Sequence, residues 1–134
     1  MILKRIALYL IFSLACLSSA VAGSLSKPTN KPILIISGMI ENTNNGKTAA
    51  FDREMLEAVG LQTVETSNPW YDGKTRFEGV SLDKLMTLVG ATGTKITAVA
   101  LNDYVTTIPL DDFKKFKVIL ALKRDGNEIG RAHV

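Results

Sequence analysis

The chain has 134 residues, with sixteen Lys and Arg against thirteen Asp and Glu, a formal net charge of +3, one cysteine and one histidine. Two of the basic residues, Lys4 and Arg5, stand near the start, so the rest carries fourteen against thirteen and a net charge of only +1. No basic cluster is denser than Lys114, Lys115 and Lys117, so the chain has no electrostatic footprint for nucleic acid, and those lysines read as a solvated face.

Residues 1–22 have the three-part layout of a secretory signal peptide: Lys4 and Arg5, an apolar run from Ile6 to Leu17, then small residues ending Ala20-Val21-Ala22. An uncleaved anchor is the competing reading, but serines at 13, 18 and 19 dilute a stretch already at the short limit of roughly 17 residues for crossing a bilayer. A lipid-modified Cys16 is a third, disfavoured by Ser13 standing where a large aliphatic residue is usual. The expectation is an exported protein, periplasmic or secreted, with no membrane association beyond the signal peptide. Cleavage leaves about 110 residues, enough for one modest core. It also removes Cys16, the only cysteine, and with it any disulfide, thiolate nucleophile or thiolate metal ligand.

Residues 23–32 form a polar, proline-punctuated lead-in, expected as a flexible spacer. Ile33 to Ile36 reads as a buried strand bending at Gly38. Asn45-Gly46 is a hairpin-type dipeptide. Phe51, Met55, Leu56 and Val59 fall at helical spacing before Gly60, with Asp52, Arg53, Glu54 and Glu57 as the solvated side. Leu61 to Glu65 is extended, Glu65 to Asp72 is a polar loop, and Arg76 to Val80 is a short strand. Ser81 is placed to cap a helix that ends at Gly90. Lys95–Leu101 and Val105–Ile108 alternate as strands around an Asn102-Asp103 turn. Asp111 and Asp112 open a helical turn as caps rather than as a catalytic carboxylate pair. Val118 to Leu122 is a final buried strand, and Asp125-Gly126 begins a hairpin whose second arm is expected to be missing. Strands and short helices mix without strict alternation, which predicts an α+β domain with a mixed sheet over residues 33–127.

Residues 128–134 fit the codons GAG ATC GGA AGA GCA CAC GTC, the start of a common short-read sequencing adapter preceded by one base, so they are expected to be non-native. His133, the only histidine, falls in that tail. Without it, Ser-His-Asp catalysis, Cys-His catalysis and histidine metal sites are excluded.

Three pieces stand in order: Trp70 with Phe77-Glu78-Gly79-Val80-Ser81-Leu82 and Leu85; Leu101-Asn102-Asp103-Tyr104 with Ile108-Pro109; and Leu120 to Gly126. Together they resemble the sulfite-oxidase-type molybdopterin-binding domain, particularly its small exported members, over roughly residues 33–126. The resemblance implies that fold and a relationship to oxidoreductases. It also implies a further Gly-Pro-rich stretch and strand after Asn127, so the native chain is expected to be longer.

In catalytic members of that family a cysteine near the loop binds molybdenum, and its place here falls near Thr66 or Ser67. A hydroxyl is hard and protonated at neutral pH where a thiolate is soft and ionised, so molybdenum ligation of that type is not expected. What survives is a candidate molybdopterin or small heterocycle site. Thr66, Ser67 and Asn68 would supply hydrogen bonds, Trp70 a stacking face and Arg76 a partner for phosphate or carboxylate, with Asn102, Asp103 and Tyr104 as the pocket-side turn. Against this stands a purely structural role, in which Asn68-Pro69 starts a turn and Trp70 covers the core edge. The functional alternatives are an oxidoreductase relative with a pterin pocket, a non-catalytic sensor-type module binding a small ligand or a periplasmic protein, and a redox enzyme with a hydroxyl-ligated metal.

Overall fold

A computed structural model of the protein describes residues 24–130, so the expected signal peptide over residues 1–22, Cys16 and His133 lie outside the described residues. Three antiparallel units make up the β structure. β1 (Leu34–Ile36) pairs with β2 (Ala49–Phe51) in the register Leu34 opposite Phe51. A four-stranded sheet runs in the order β3 (Leu61–Asn68), β4 (Tyr71–Ser81), β7 (Ile119–Arg124), β8 (Asn127–Glu128), and a hairpin joins β5 (Lys95–Val99) to β6 (Val105–Pro109). Three short helices, α1 (Arg53–Val59), α2 (Leu82–Leu88) and α3 (Leu110–Lys115), connect these units. The mixed α+β class read from the sequence therefore stands.

The core lies where the three units meet. Ala49 and Phe51 from β2, Leu56 from α1, Val80 from β4, Leu85 and Met86 from α2, Val89, Phe113 from α3 and Leu122 from β7 form one buried cluster. Both ends of α2 are satisfied locally. The Ser81 hydroxyl accepts the Lys84 N–H, and at the other end Gly90, at φ +63°, reverses the chain.

Several expectations need correction. Phe51 belongs to β2 and not to the helix, and Asp52 is a buried N-cap rather than part of a solvated face: its carboxylate accepts the Met55 N–H at 2.9 Å. β1 is not a buried strand, since Ile33 and Ile35 are more than half exposed. β7 runs from Ile119 to Arg124, and only Leu122 is buried. The hairpin after Asp125-Gly126 has a second arm, the two-residue β8, with Arg53 donating to the Leu122 and Ile129 carbonyls. α3 has Pro109 at its N-cap with no side-chain bond, so Asp111 and Asp112 favour its positive end from within the first turn and do not cap it. The lead-in is tied down, with the Thr29 and Asn30 N–H groups donating to Asp52 and the Asn44 amide donating to the Ser26 carbonyl.

The largest difference concerns residues 65–72. They are not a loop: Glu65 to Asn68 finish β3, Tyr71 begins β4, and only Pro69 and Trp70 turn. Alternation was obscured there because Thr, Ser and Asn face solvent on both sides of a two-stranded arm. Residues from Tyr71 to Thr75 pair with β3 alone, since pairing of β4 with β7 starts at Phe77.

Candidate functional site

The eight residues singled out from the sequence fall into two groups. Thr66, Ser67, Asn68, Trp70 and Arg76 lie along the β3–β4 arm; Asn102, Asp103 and Tyr104 form the β5–β6 turn. Among the described residues no hydrogen bond joins the two groups.

On the arm, the polar groups are largely engaged with one another. Thr66 Oγ1 donates to the Ser67 carbonyl, and Asn68 Oδ1 accepts the Trp70 N–H at 3.1 Å, an Asx turn that fixes the tip. The Arg76 guanidinium donates to Glu78 Oε1 at 2.9 Å, and its backbone N–H donates to Asp125 Oδ1. Arg76 is thus already partnered by a carboxylate. Trp70 does not cover the core edge: it is 81% exposed. Tyr71, beside it, is clamped by Arg124, whose guanidinium lies 4.6 Å from the ring centroid and donates to the phenol oxygen.

The β5–β6 turn places its residues differently. Asn102 Oδ1 accepts the Tyr104 N–H, Asp103 takes the left-handed conformation at φ +62°, and the Ala100 N–H donates to the Tyr104 carbonyl. Asn102 and Asp103 are therefore spent on turn geometry. Tyr104 is the exception, because it lines a cavity.

That cavity is a groove of about 700 Å³ walled by β1 and the bend after it, by the inner face of the β5–β6 hairpin, and by α2 and the start of β7. Leu34, Ile36, Leu82, Leu85, Ile96 and Ile108 give it an apolar floor. Lys95 is the one charged residue along its lining, at the open end of the hairpin, while Thr106 and Tyr104 stand toward the turn end. Its size falls within the roughly 300–1,000 Å³ typical of small-ligand sites. A second, shallower hollow is lined by Glu41, Asp83, Asp111 and Lys114 and is more polar. None of Thr66, Ser67, Asn68, Trp70 or Arg76 lines either cavity.

Sequence reasoning missed the groove, since its walls come from segments far apart in the chain. The one local signal was the apolar alternation of Ile96 and Ala98 opposite Ile108, which marks an inner face but not what that face meets. Among the described residues no group of three or more His, Cys, Asp or Glu is placed to hold a metal ion. No family model and no curated protein matches this chain.

Proposed function

We propose that the chain is an exported binding module on a scaffold of the molybdopterin-binding type, taking a flat heterocyclic ligand of pterin character in the groove without thiolate ligation of molybdenum. One observation carries this reading: all three stretches behind the resemblance contribute to the same groove. Leu82 and Leu85 come from the first, Tyr104 and Ile108 from the second, and Leu120 from the third. The apolar floor suits ring faces, the Tyr104 and Thr106 hydroxyls suit ring heteroatoms, and Lys95 suits a phosphate or carboxylate.

The test is a fluorescence titration of the purified protein with a pterin, together with molybdenum and pterin analysis of protein isolated from its own host. Saturable binding that weakens severalfold on Lys95→Glu and is unchanged by Trp70→Ala is the expected result. If added pterin does not bind and none is recovered from the host, the reading fails.

A second reading is a sensor-type module that binds a periplasmic protein, and the exposed Trp70 favours it, because tryptophan is enriched among the residues that dominate protein interfaces. Pull-down from periplasmic extract with wild type and Trp70→Ala separates the two readings, since the small-ligand reading does not involve Trp70.

A further inference from the structure

We infer that Asn45 is a site of self-modification: its side-chain amide is displaced by the backbone nitrogen of Gly46, and the isoaspartate that results loosens the lead-in at Ser26. The chain has seven asparagines, and Asn45 is the only one followed by glycine. The side chains of Asn30, Asn42, Asn44, Asn68, Asn102 and Asn127 each hold a hydrogen bond. Among the described residues only the Asn45 side chain has none, although its backbone exchanges N–H and carbonyl bonds with Thr48 at 3.0 and 3.1 Å. Asn45 is also exposed, so its amide is solvated and unrestrained. The attacking group is equally open. Gly46 is exposed at φ +62°, its N–H donates to nothing among the described residues, and a Cβ built there would meet nothing within 4 Å. Asn68, by contrast, precedes Pro69, whose nitrogen has no proton to lose.

Hydroxide removes the Gly46 amide proton, and the nitrogen then attacks Asn45 Cγ. The new C–N bond closes a succinimide ring as the Cγ–Nδ2 bond breaks, and the amide leaves as ammonia with a proton from water. A second water opens the ring at the side-chain carbonyl to leave isoaspartate's normal isomer, aspartate, or at the main-chain carbonyl to leave isoaspartate. Nothing is oxidised or reduced. Ring closure requires the Asn45 backbone to rotate toward Gly46, which the Thr48 bonds oppose, so reaction in the folded chain follows local opening of the turn. The consequence comes through the next residue. The Asn44 side chain accepts the Ala50 N–H at 2.7 Å and donates to the carbonyls of Ala50 and Ser26 at 2.8 Å each, joining the lead-in to β2. Isoaspartate inserts a methylene into the main chain beside that bridge. Residue 45 then no longer meets Thr48 in register, and the bridge gives way. The bonds from Thr29 and Asn30 to Asp52 lie farther along and remain.

The experiment ages the purified protein in mildly alkaline buffer, digests it and maps every asparagine by mass spectrometry, with isoaspartate identified by enzymatic methylation. Conversion of the Asn45 amide to carboxyl ahead of the other asparagines is expected, faster as the pH rises and severalfold faster in a peptide of the turn than in the folded chain. In the separated isoaspartate fraction the Ala50 N–H should exchange with solvent severalfold faster than in fresh protein. Asn45→Asp carries the new charge on an ordinary backbone and should exchange like fresh protein, which separates the lengthened chain from the charge. If another asparagine loses its amide first, or if Asn45 stays intact after many half-lives of the peptide, the site is wrong. Unchanged Ala50 exchange in the isoaspartate fraction overturns the loosening.

Discussion

Asp52 stands where the chain passes from β2 into α1, and its carboxylate gathers backbone N–H groups from two directions. Met55 in the first turn donates to one oxygen, while Thr29 and Asn30 in the lead-in donate to the other at 3.0 Å each. The Asn30 and Met55 N–H groups, against an opposing effect of burial, hold its pKa below the ordinary 3.8. The unfolded chain then takes the proton more readily, so the stabilisation is fully present above that value. It is lost as the pH falls from there through the lowered native pKa. Urea unfolding followed from pH 7 down to pH 3 should show this loss in the wild type. In Asp52→Asn the dependence should be shallower and the stability at pH 7 lower, with the N-terminal residues exchanging amide protons faster.

Gly79 is constrained by space rather than by its own φ. It sits at the irregularity where β4 passes β7, and a Cβ there would fall onto the Leu120 carbonyl oxygen and within 2.8 Å of the Ala121 Cα. Both obstacles are backbone, so neither can swing away. Gly79→Ala is expected to cost about 3 kcal/mol, the upper part of the usual range for overpacking, as a lower urea midpoint at unchanged slope. The change also presses on Leu120, a wall of the groove, so ligand binding and stability should fall together.

At the scale of elements, α2 couples the core to the groove. Leu85 is fully buried in the core cluster and also lines the groove floor, while Leu82 faces the same cavity. Leu85→Ala should cost about 2–5 kcal/mol, the range for truncating a buried leucine, and is best read by thermal unfolding. Ser81→Ala loses a single cap bond, worth about 1 kcal/mol, and leaves the groove lining untouched. It therefore serves as a control with lower stability and unaltered binding. The β3–β4 arm is an element of another kind: beyond Phe77 it lacks a third strand, and most of its side chains are solvated. A two-stranded ribbon is marginal on its own. The Arg124–Tyr71 clamp and two bonds to the Arg76 backbone, its N–H donating to the Asp125 carboxylate and its carbonyl accepting the Asp125 N–H, tie it to the sheet.

For the whole molecule, three small antiparallel units share one core but leave a trough between β1, the β5–β6 hairpin and β7. The α+β class, the capped helix after Ser81, the Asn45-Gly46 turn and the paired strands around Asn102-Asp103 were legible because each is specified by neighbours within a few residues: a cap, a left-handed position, a period of two. The tip at Trp70 was legible as a turn but not as the end of a ribbon. Thr66, Ser67 and Asn68 carry no apolar face, so no alternation marked them as strand. The candidate site was legible only in part. Tyr104 reaches the groove, while the arm residues face solvent, and Lys95 drew no notice because a single lysine on an alternating strand looks like any solvated residue.

The sequence by itself determined the chemical repertoire, since residue types absent between residues 24 and 127, cysteine and histidine, stay absent in any fold. It also determined the local elements, whose hydrogen bonds close over short stretches of chain. Tertiary structure alone decided that Asp52 is buried as a cap and a latch for the lead-in, that Trp70 is exposed, and that Leu34, Leu85, Ile96, Ile108 and Leu120 surround one groove. Those outcomes depend on contacts between residues tens of positions apart, and burial is a property of what a residue meets across space, which no local pattern encodes.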